Sequence, residues 1–332
     1  MVRTVTGVQV GAIMVVAGAL AQAFAPVAAV RAQDRYPSSA ITVVTPLAPG
    51  TTADILARLY GERLSRRFRQ QVIVSNRPGA GGLIAAQAVA AATPDGYTLL
   101  LANSGHEVLG LLNRNLPFEP VRDFAAVSMI GEAAAVVTVP PALGTRTLKA
   151  FVDRAKAHPG AINYGSAGIG TATHLAGAYF AAQAGIDMVH VPYKTASAEV
   201  ADLVAGRVQV TFAPAAFTLP MLQDGKLIAL AVASAQPMRS PVAVPTARSG
   251  GIDYEYATWY GFLAPAKTPK AVLQTLNAAI ASIGDEAELT EKIIGQGIEP
   301  RRIGLGDFDT HLRQDMNRLA PLLKSIAAQI GN

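Results

Sequence analysis

The sequence predicts an α/β protein of two lobes, each built on a largely parallel sheet. Three observations carry this expectation. From Gln33 onward, short β-branched runs alternate with amphipathic stretches. The alternation falls into two series, and each contains a strand, a glycine-rich loop and a helix with threonine in its first turn. A chain of 332 residues, 51% hydrophobic and 15% charged, is also long enough for two cores.

In the first series a strand is expected at 41–45. The Pro/Gly/Thr loop from Pro46 to Thr52 then opens a helix whose apolar positions Ile55, Leu56, Leu59, Tyr60, Leu64 and Phe68 fall mainly on one face. A strand at 72–74, a turn from Asn76 to Gly82 and a short helix over 83–92 follow. Pro94-Asp95-Gly96 turns the chain into a strand at 97–102. The second series begins near residue 138, where Thr147 suits the N-cap of a helix ended by His158-Pro159-Gly160. Next come a strand at 162–164, the loop Gly165 to Gly170, a helix from Thr171 to about Ala184 stopped by Gly185, and a strand at 188–191. A helix near 198–205 and strands at 207–212 and 228–233 complete that half. The last third predicts a strand at 259–263 and a helix with Thr268 as cap and Pro269 in its first turn. A helix with Asp285 and Glu288 spaced as a capping box and a long C-terminal helix end the chain. The expected division is 33–137 with 236–332 for the first lobe and 138–235 for the second.

The first 32 residues read as a secretory signal peptide. Arg3 precedes an uncharged stretch from Thr4 to Val30, and Val30-Arg31-Ala32 offers small residues for cleavage before Gln33. The stretch is long enough to span a bilayer, but its Ala and Gly content, Pro26 and the lack of a basic stop-transfer cluster favour cleavage and export to the periplasm. Without Arg3 and Arg31, 26 of the 28 basic residues remain against 23 acidic ones, a formal charge of about +3. No basic run is interleaved with aromatics, which argues against nucleic acid as a partner. The mild positive excess favours small anionic ligands. The absence of cysteine excludes disulfides, thiolate metal sites, a cysteine nucleophile and a lipid-modified N-terminus.

Enzyme and cofactor motifs are incomplete. The five histidines show no helical pairing at metal-ligand spacing. Gly168-Ile169-Gly170 begins a dinucleotide fingerprint, but Thr173 stands where its last glycine belongs. Gly165-Ser166-Ala167-Gly168 lacks the glycine two residues before the serine, where Tyr164 stands, so a nucleophile elbow is not formed. No metal, no cofactor and no catalytic activity are therefore expected. The rival from another class is an exported hydrolase with Ser166 as nucleophile and His174 as base.

A binding reading fits better. In open parallel sheets ligands sit at the carboxyl ends of strands, where helix N-termini present free N–H groups and partial positive charge. Two such starts facing each other make an anion clamp. Its candidate parts are Pro49, Gly50, Thr51 and Thr52 in one series, and Ser166, Gly168, Gly170 and Thr171 in the other. Asn103 and Ser104 lie at a further strand end, His174 in the first turn of the second clamp helix, and Tyr193 after another strand. Glycine and threonine are also common at helix starts for capping alone, but the recurrence of the same chemistry favours binding. Asp54 would repel an anion if exposed to it; it is read as structural, as an orienter of Thr51 or as a contact to a ligand amine.

Several spaced landmarks point to a family. They are Tyr36-Pro37, Pro46-Leu47-Ala48-Pro49-Gly50 with Asp54, Asn76-Arg77-Pro78-Gly79-Ala80-Gly81-Gly82, and Pro94-Asp95-Gly96-Tyr97-Thr98. Further on come Asn163 to Thr171, His174-Leu175-Ala176-Gly177, His190-Val191-Pro192-Tyr193-Lys194, and Trp259-Tyr260-Gly261 before Ala264-Pro265. In these the sequence resembles the tripartite tricarboxylate transporter receptors, also called Bug-type solute-binding proteins. The resemblance implies a type II periplasmic-binding-protein fold whose hinge of crossing strands falls near 127–139 and 235–263. It implies a receptor that holds a small carboxylate through backbone and hydroxyl groups, often with bridging water, and passes it to inner-membrane transporter subunits; the chain is expected to act as a monomer. Tricarboxylates, dicarboxylates, acidic amino acids and aromatic acids all fit, and a sensory receptor remains the alternative within binding proteins. Two departures stand near the expected pocket: Gly50-Thr51 replaces a pair of glycines, and Thr195 replaces a glycine after Tyr193-Lys194.

Overall fold

A computed structural model of the chain describes Met1 and residues 36–330 except 108, 113–114 and 239–241, with the backbone alone at 111–112, 196, 319 and 321–330. The expected signal peptide and its cleavage site before Gln33 thus lie, Met1 apart, outside the described residues. Within the unit Ser39–Asn332 the chain builds two five-stranded sheets.

The first stretch runs β1 (Ile41–Thr45), α1 (Thr52–Phe68), β2 (Val72–Asn76), α2 (Leu83–Ala90), β3 (Thr98–Asn103), α3 (Leu109–Leu112) and β4 (Phe124–Ala134). The second runs β5 (Val136–Val139), α4 (Leu148–Ala157), β6 (Ile162–Ser166), α5 (Ala172–Ala184), β7 (Met188–Pro192), α6 (Ala196–Val204), β8 (Val210–Thr211), α7 (Ala215–Gln223) and β9 (Ile228–Val232). The chain returns with β10 (Ala257–Pro265), α8 (Lys270–Gly284), α9 (Ala287–Gly295) and α10 (Leu305–Ile330).

One sheet has the order β2-β1-β3-β10-β4 and the other β7-β6-β8-β5-β9. Both are mixed rather than largely parallel. The βα repeats supply the parallel pairs β1 with β2 and β3, and β6 with β7 and β8. The strands that cross from the other lobe, β10 and β5, enter antiparallel to their neighbours. Each sheet has its own core: Leu100, Phe124, Trp259 and Phe308 in the first lobe, and Phe151, Tyr164, Phe180 and Phe212 in the second.

The lobes are joined through main chain. Ala135, between β4 and β5, donates its N–H to the Tyr256 carbonyl at 3.0 Å; Tyr256 donates to Ala233 at 3.0 Å, and Ala233 to Ala135 at 2.8 Å. Three segments therefore meet in a closed triangle of backbone bonds, the hinge of crossing strands. Ala247, Tyr254 and Tyr256 pack in the second core, and β10 begins at Ala257, inside the segment 235–263 expected to form the return side of the hinge.

Two local expectations are corrected. Pro269 and not Thr268 stands at the N-cap of α8, and the Thr268 hydroxyl is buried without a partner among the described residues. The capping box at 285–288 does not form. Glu286 rather than Asp285 is the N-cap, so Glu288 stands at the second helical position instead of the third and cannot complete the box; Asp285 pairs with Arg302, and Glu288 with Lys292 at 2.6 Å.

Helix α5 is held close to its sheet by Gly177. A β-carbon there would stand 2.5 Å from the Tyr164 ring and 3.0 Å from Phe212. Gly177→Ala is expected to destabilise the protein by about 1–3 kcal/mol through overpacking, despite the higher helix propensity of alanine. A urea midpoint at or above that of the parent would show that the ring has room to yield.

Candidate functional site

A cleft of about 1960 Å³ opens at the carboxyl ends of the parallel strands, between the β1–α1 loop, the 78–82 turn, the β6–α5 loop and the walls of α6 and α7. The lobes approach closely at separate points. A β-carbon on Gly81 would stand 3.3 Å from the Ile169 carbonyl oxygen, and one on Gly297 3.1 Å from the Ala216 nitrogen.

The starts of α1 and α5 have the same construction. Gly50 and Gly170 take the left-handed conformation, with φ of 81° and 77°. Thr51 and Thr171 are the N-caps, both at φ −78°, with ψ of 162° and 161°. Neither hydroxyl caps its own helix. Each donates back three residues, Thr51 to the Ala48 carbonyl at 2.8 Å and Thr171 to the Gly168 carbonyl at 2.7 Å. The first main-chain bonds of the helices come from Ile55 and Leu175, so the N–H groups of the opening turn keep their donor capacity. Each loop is then pinned by an acceptor four residues on. Gly50 donates to the Asp54 carboxylate at 2.9 Å, and Gly170 donates to His174 Nδ1 at 3.1 Å.

Asp54 and His174 therefore do equivalent work behind the cleft surface. Burial alone would raise the Asp54 pKa, but hydrogen bonds from Arg58, Gly50 and Asn76 together hold it below the ordinary value. Its charge is neutralised by Arg58 at 2.9 Å, which limits repulsion of an anion at the α1 start. His174 works without charge. Burial pushes its pKa down to about 4, and accepting from Gly170 at Nδ1 places its proton on Nε2. His190 stacks on it at 3.9 Å, and burial together with His174 depresses His190 to about 3.

Of the residues expected at the site, Pro49, Gly50, Thr51, Thr52, Gly168, Gly170, Thr171, Tyr193 and Thr195 line the cleft together. Four lie behind it. Ser166 is fully buried at the end of β6; its hydroxyl meets His190 Nε2 at 2.6 Å and the Gly168 carbonyl at 3.2 Å. His174 is buried under Gly170. Asn103 turns its amide oxygen onto the Gly105 N–H at 2.9 Å, and Ser104 is fully buried. The hydrolase alternative loses its parts here, since Ser166 is inaccessible and paired with His190 rather than His174. The walls add residues that sequence reasoning missed, among them Ile55, Val200, Val204, Phe217, Met221 and Gln296. Among the described lining residues the only charged side chain is Lys194.

Comparison with known proteins decides the family. The profile of the tripartite tricarboxylate transporter family receptor matches residues 56–328. The chain belongs to this receptor family. Protein BugT of Bordetella pertussis is 32% identical over 281 residues, covering 84% of this chain and 86% of that protein. A UPF0065 protein from the tcbD-tcbE intergenic region of Pseudomonas sp. strain P51 is 35% identical over 268 residues, 80% of each chain. Among solved structures, an R. palustris protein with adipate superposes with a TM-score of 0.81 at 30% identity, covering 88% of this chain and 98% of that one. A Rhodopseudomonas palustris protein with bound malate superposes at 0.79 with 26% identity, covering 87% and 100%. The receptor has the type II periplasmic-binding-protein fold, and its family consists of solute-binding receptors rather than enzymes. No described helix is long and apolar enough to cross a membrane.

Proposed function

We propose that this receptor captures a small carboxylate in the periplasm and delivers it to the membrane subunits of a tripartite tricarboxylate transporter, acting as a monomer. The observation that carries the reading is the matched pair of helix starts, each with its threonine turned away and its N–H groups free. Pro49, Gly50, Thr51 and Thr52 form one jaw; Gly168, Gly170 and Thr171 form the other, with Tyr193 and Thr195 on the adjoining wall. Ser166, His174, Asn103 and Ser104 act from behind, by fixing loops.

The energetics suffice without arginine. A hydrogen bond to a charged group contributes about 1.5–3 kcal/mol, and a helix terminus up to about 2 in a sheltered place. Three or four such bonds with two dipoles can exceed the roughly 8 kcal/mol of a micromolar complex before ordering costs are deducted. The cleft volume of about 1960 Å³ exceeds that of a closed small-molecule pocket, so capture involves closure about the Ala135–Ala233–Tyr256 hinge.

The test is to purify the exported chain, identify its co-purified acid by mass spectrometry, and titrate that acid beside its primary amide. The amide places an NH₂ donor where the jaws supply donors, and loses the ionic part of each bond. A loss of two to four powers of ten in affinity is expected. Equal affinities would mean that shape, not charge, selects the ligand. A chain that binds no acid would refute the receptor reading itself.

A further inference from the structure

Three features of the cleft limit the number of charges a ligand brings. The first is the α6 start. Unlike Thr51 and Thr171, Thr195 caps its own helix, accepting from the Ala198 N–H at 3.2 Å. An anion at this third helix start would have to compete with the Thr195 hydroxyl for the Ala198 N–H. The α7 start is closed in another way, because Gly297 packs against the Ala216 main chain.

The second feature is the surface beyond these starts. Val200 and Val204 of α6 face the cleft together with Phe217 and Met221 of α7 and Ile55 of α1. Val204 is 37% exposed and Ile169, on the neighbouring loop, 50% exposed. Large apolar side chains left open in a concave site gain by being covered with apolar matter. The third is the shortage of cations. Lys194 is exposed on the rim, where a paired carboxylate keeps most of its water and gains little. A second carboxylate buried against this wall would lose its hydration without a partner.

We propose that the ligand is a monocarboxylate with a bulky apolar or aromatic body, its carboxylate between the α1 and α5 starts and its body on the α6–α7 wall, with Thr195 excluding a second carboxylate. The inference rests on the carboxylate-receptor reading and narrows it. It sets this chain apart from a receptor for malate, whose two carboxylates would both need donors.

The test uses pairs that differ by a second carboxylate: hexanoate against adipate, which share a six-carbon chain, and benzoate against terephthalate, which share a ring, each titrated calorimetrically into the exported chain. The monoacid of each pair is expected to bind at least about tenfold tighter. Thr195→Gly combined with Val204→Lys, which opens the α6 start and adds a cation at an exposed position, is expected to reverse the order within each pair. Phe217→Ala should weaken benzoate roughly tenfold or more and leave adipate nearly unaffected. Tighter binding of adipate or terephthalate by the parent chain, or a double variant with unchanged preference, overturns the proposal. Failure of all four acids alongside a co-purified acid that passes the amide comparison overturns it while sparing the receptor reading. Failure of every acid removes both.

Discussion

Thr171→Asp is expected to lower carboxylate affinity by two to four powers of ten while leaving the melting temperature at or above that of the parent. The two halves of this result have one cause. Aspartate is among the best N-cap residues, so its carboxylate takes the N–H groups that the threonine leaves free by bonding back to Gly168. Helix α5 gains a cap and the dipole gains a favourable charge. The ligand loses both, along with at least two charge-assisted bonds of about 1.5–3 kcal/mol each. The added charge also repels it. Thr51→Asp should act in the same direction at α1. Calorimetric titration beside thermal unfolding checks both halves, and a variant that binds normally with a raised melting temperature would move the carboxylate away from the α5 start. Ser166 is unsuitable for the same experiment. It is fully buried against His190, so an aspartate there would disturb the fold before it tested the site.

The second large effect is loss of stability in acid. His174 and His106 are held at about 4 and His190 at about 3, all chiefly by burial, against an ordinary value near 6.5. In the folded state these groups stay neutral where the unfolded chain would bind protons. Their stabilisation is complete above pH 6.5 and is lost as the pH falls through 4. One histidine depressed to about 4 is worth about 3 kcal/mol at neutral pH. The stacked pair resists a second proton more strongly, since His174 and His190 lie 3.9 Å apart. The melting temperature should therefore fall steeply between pH 6.5 and 4, and His190→Asn should flatten part of that fall. Affinity should hold through most of that window and fall only as the pH approaches 4, where the folded receptor itself takes up a proton on His174 Nδ1 and loses the acceptor that pins Gly170. An unchanged melting temperature from pH 7 to 4.5 would show that the imidazoles titrate freely.

Most of the βα framework is legible in the sequence because its signals are local. Thr147 caps α4 through the Ala150 N–H at 3.2 Å, Gly185 ends α5 in the left-handed conformation, and β1 spans its expected residues. The crossing strands are less legible. The change from β4 to β5 at Ala135 occurs within one continuous apolar run, and only the choice of pairing partner marks it. The site divides in the same way. Glycine and threonine at the two helix starts announce themselves, whereas Ser166 and Ser104 resemble surface hydroxyls until the fold buries them. One signal was present and unused: Gly50 precedes Asp54, and Gly170 precedes His174, by the same four residues. The apolar wall had no such signature: Val200 and Val204 lie on an amphipathic helix, and Phe217 and Met221 on a helix with few polar residues, where apolar side chains are the rule.

The triangle at Ala135, Ala233 and Tyr256 is made from main-chain atoms alone. A joint of that kind places few demands on the side chains around it, whereas the cleft is defined almost wholly by side chains and loop conformation. Substitutions that retune which acid is held therefore need not alter how the lobes swing. A receptor built on this plan can change its diet and keep its gait.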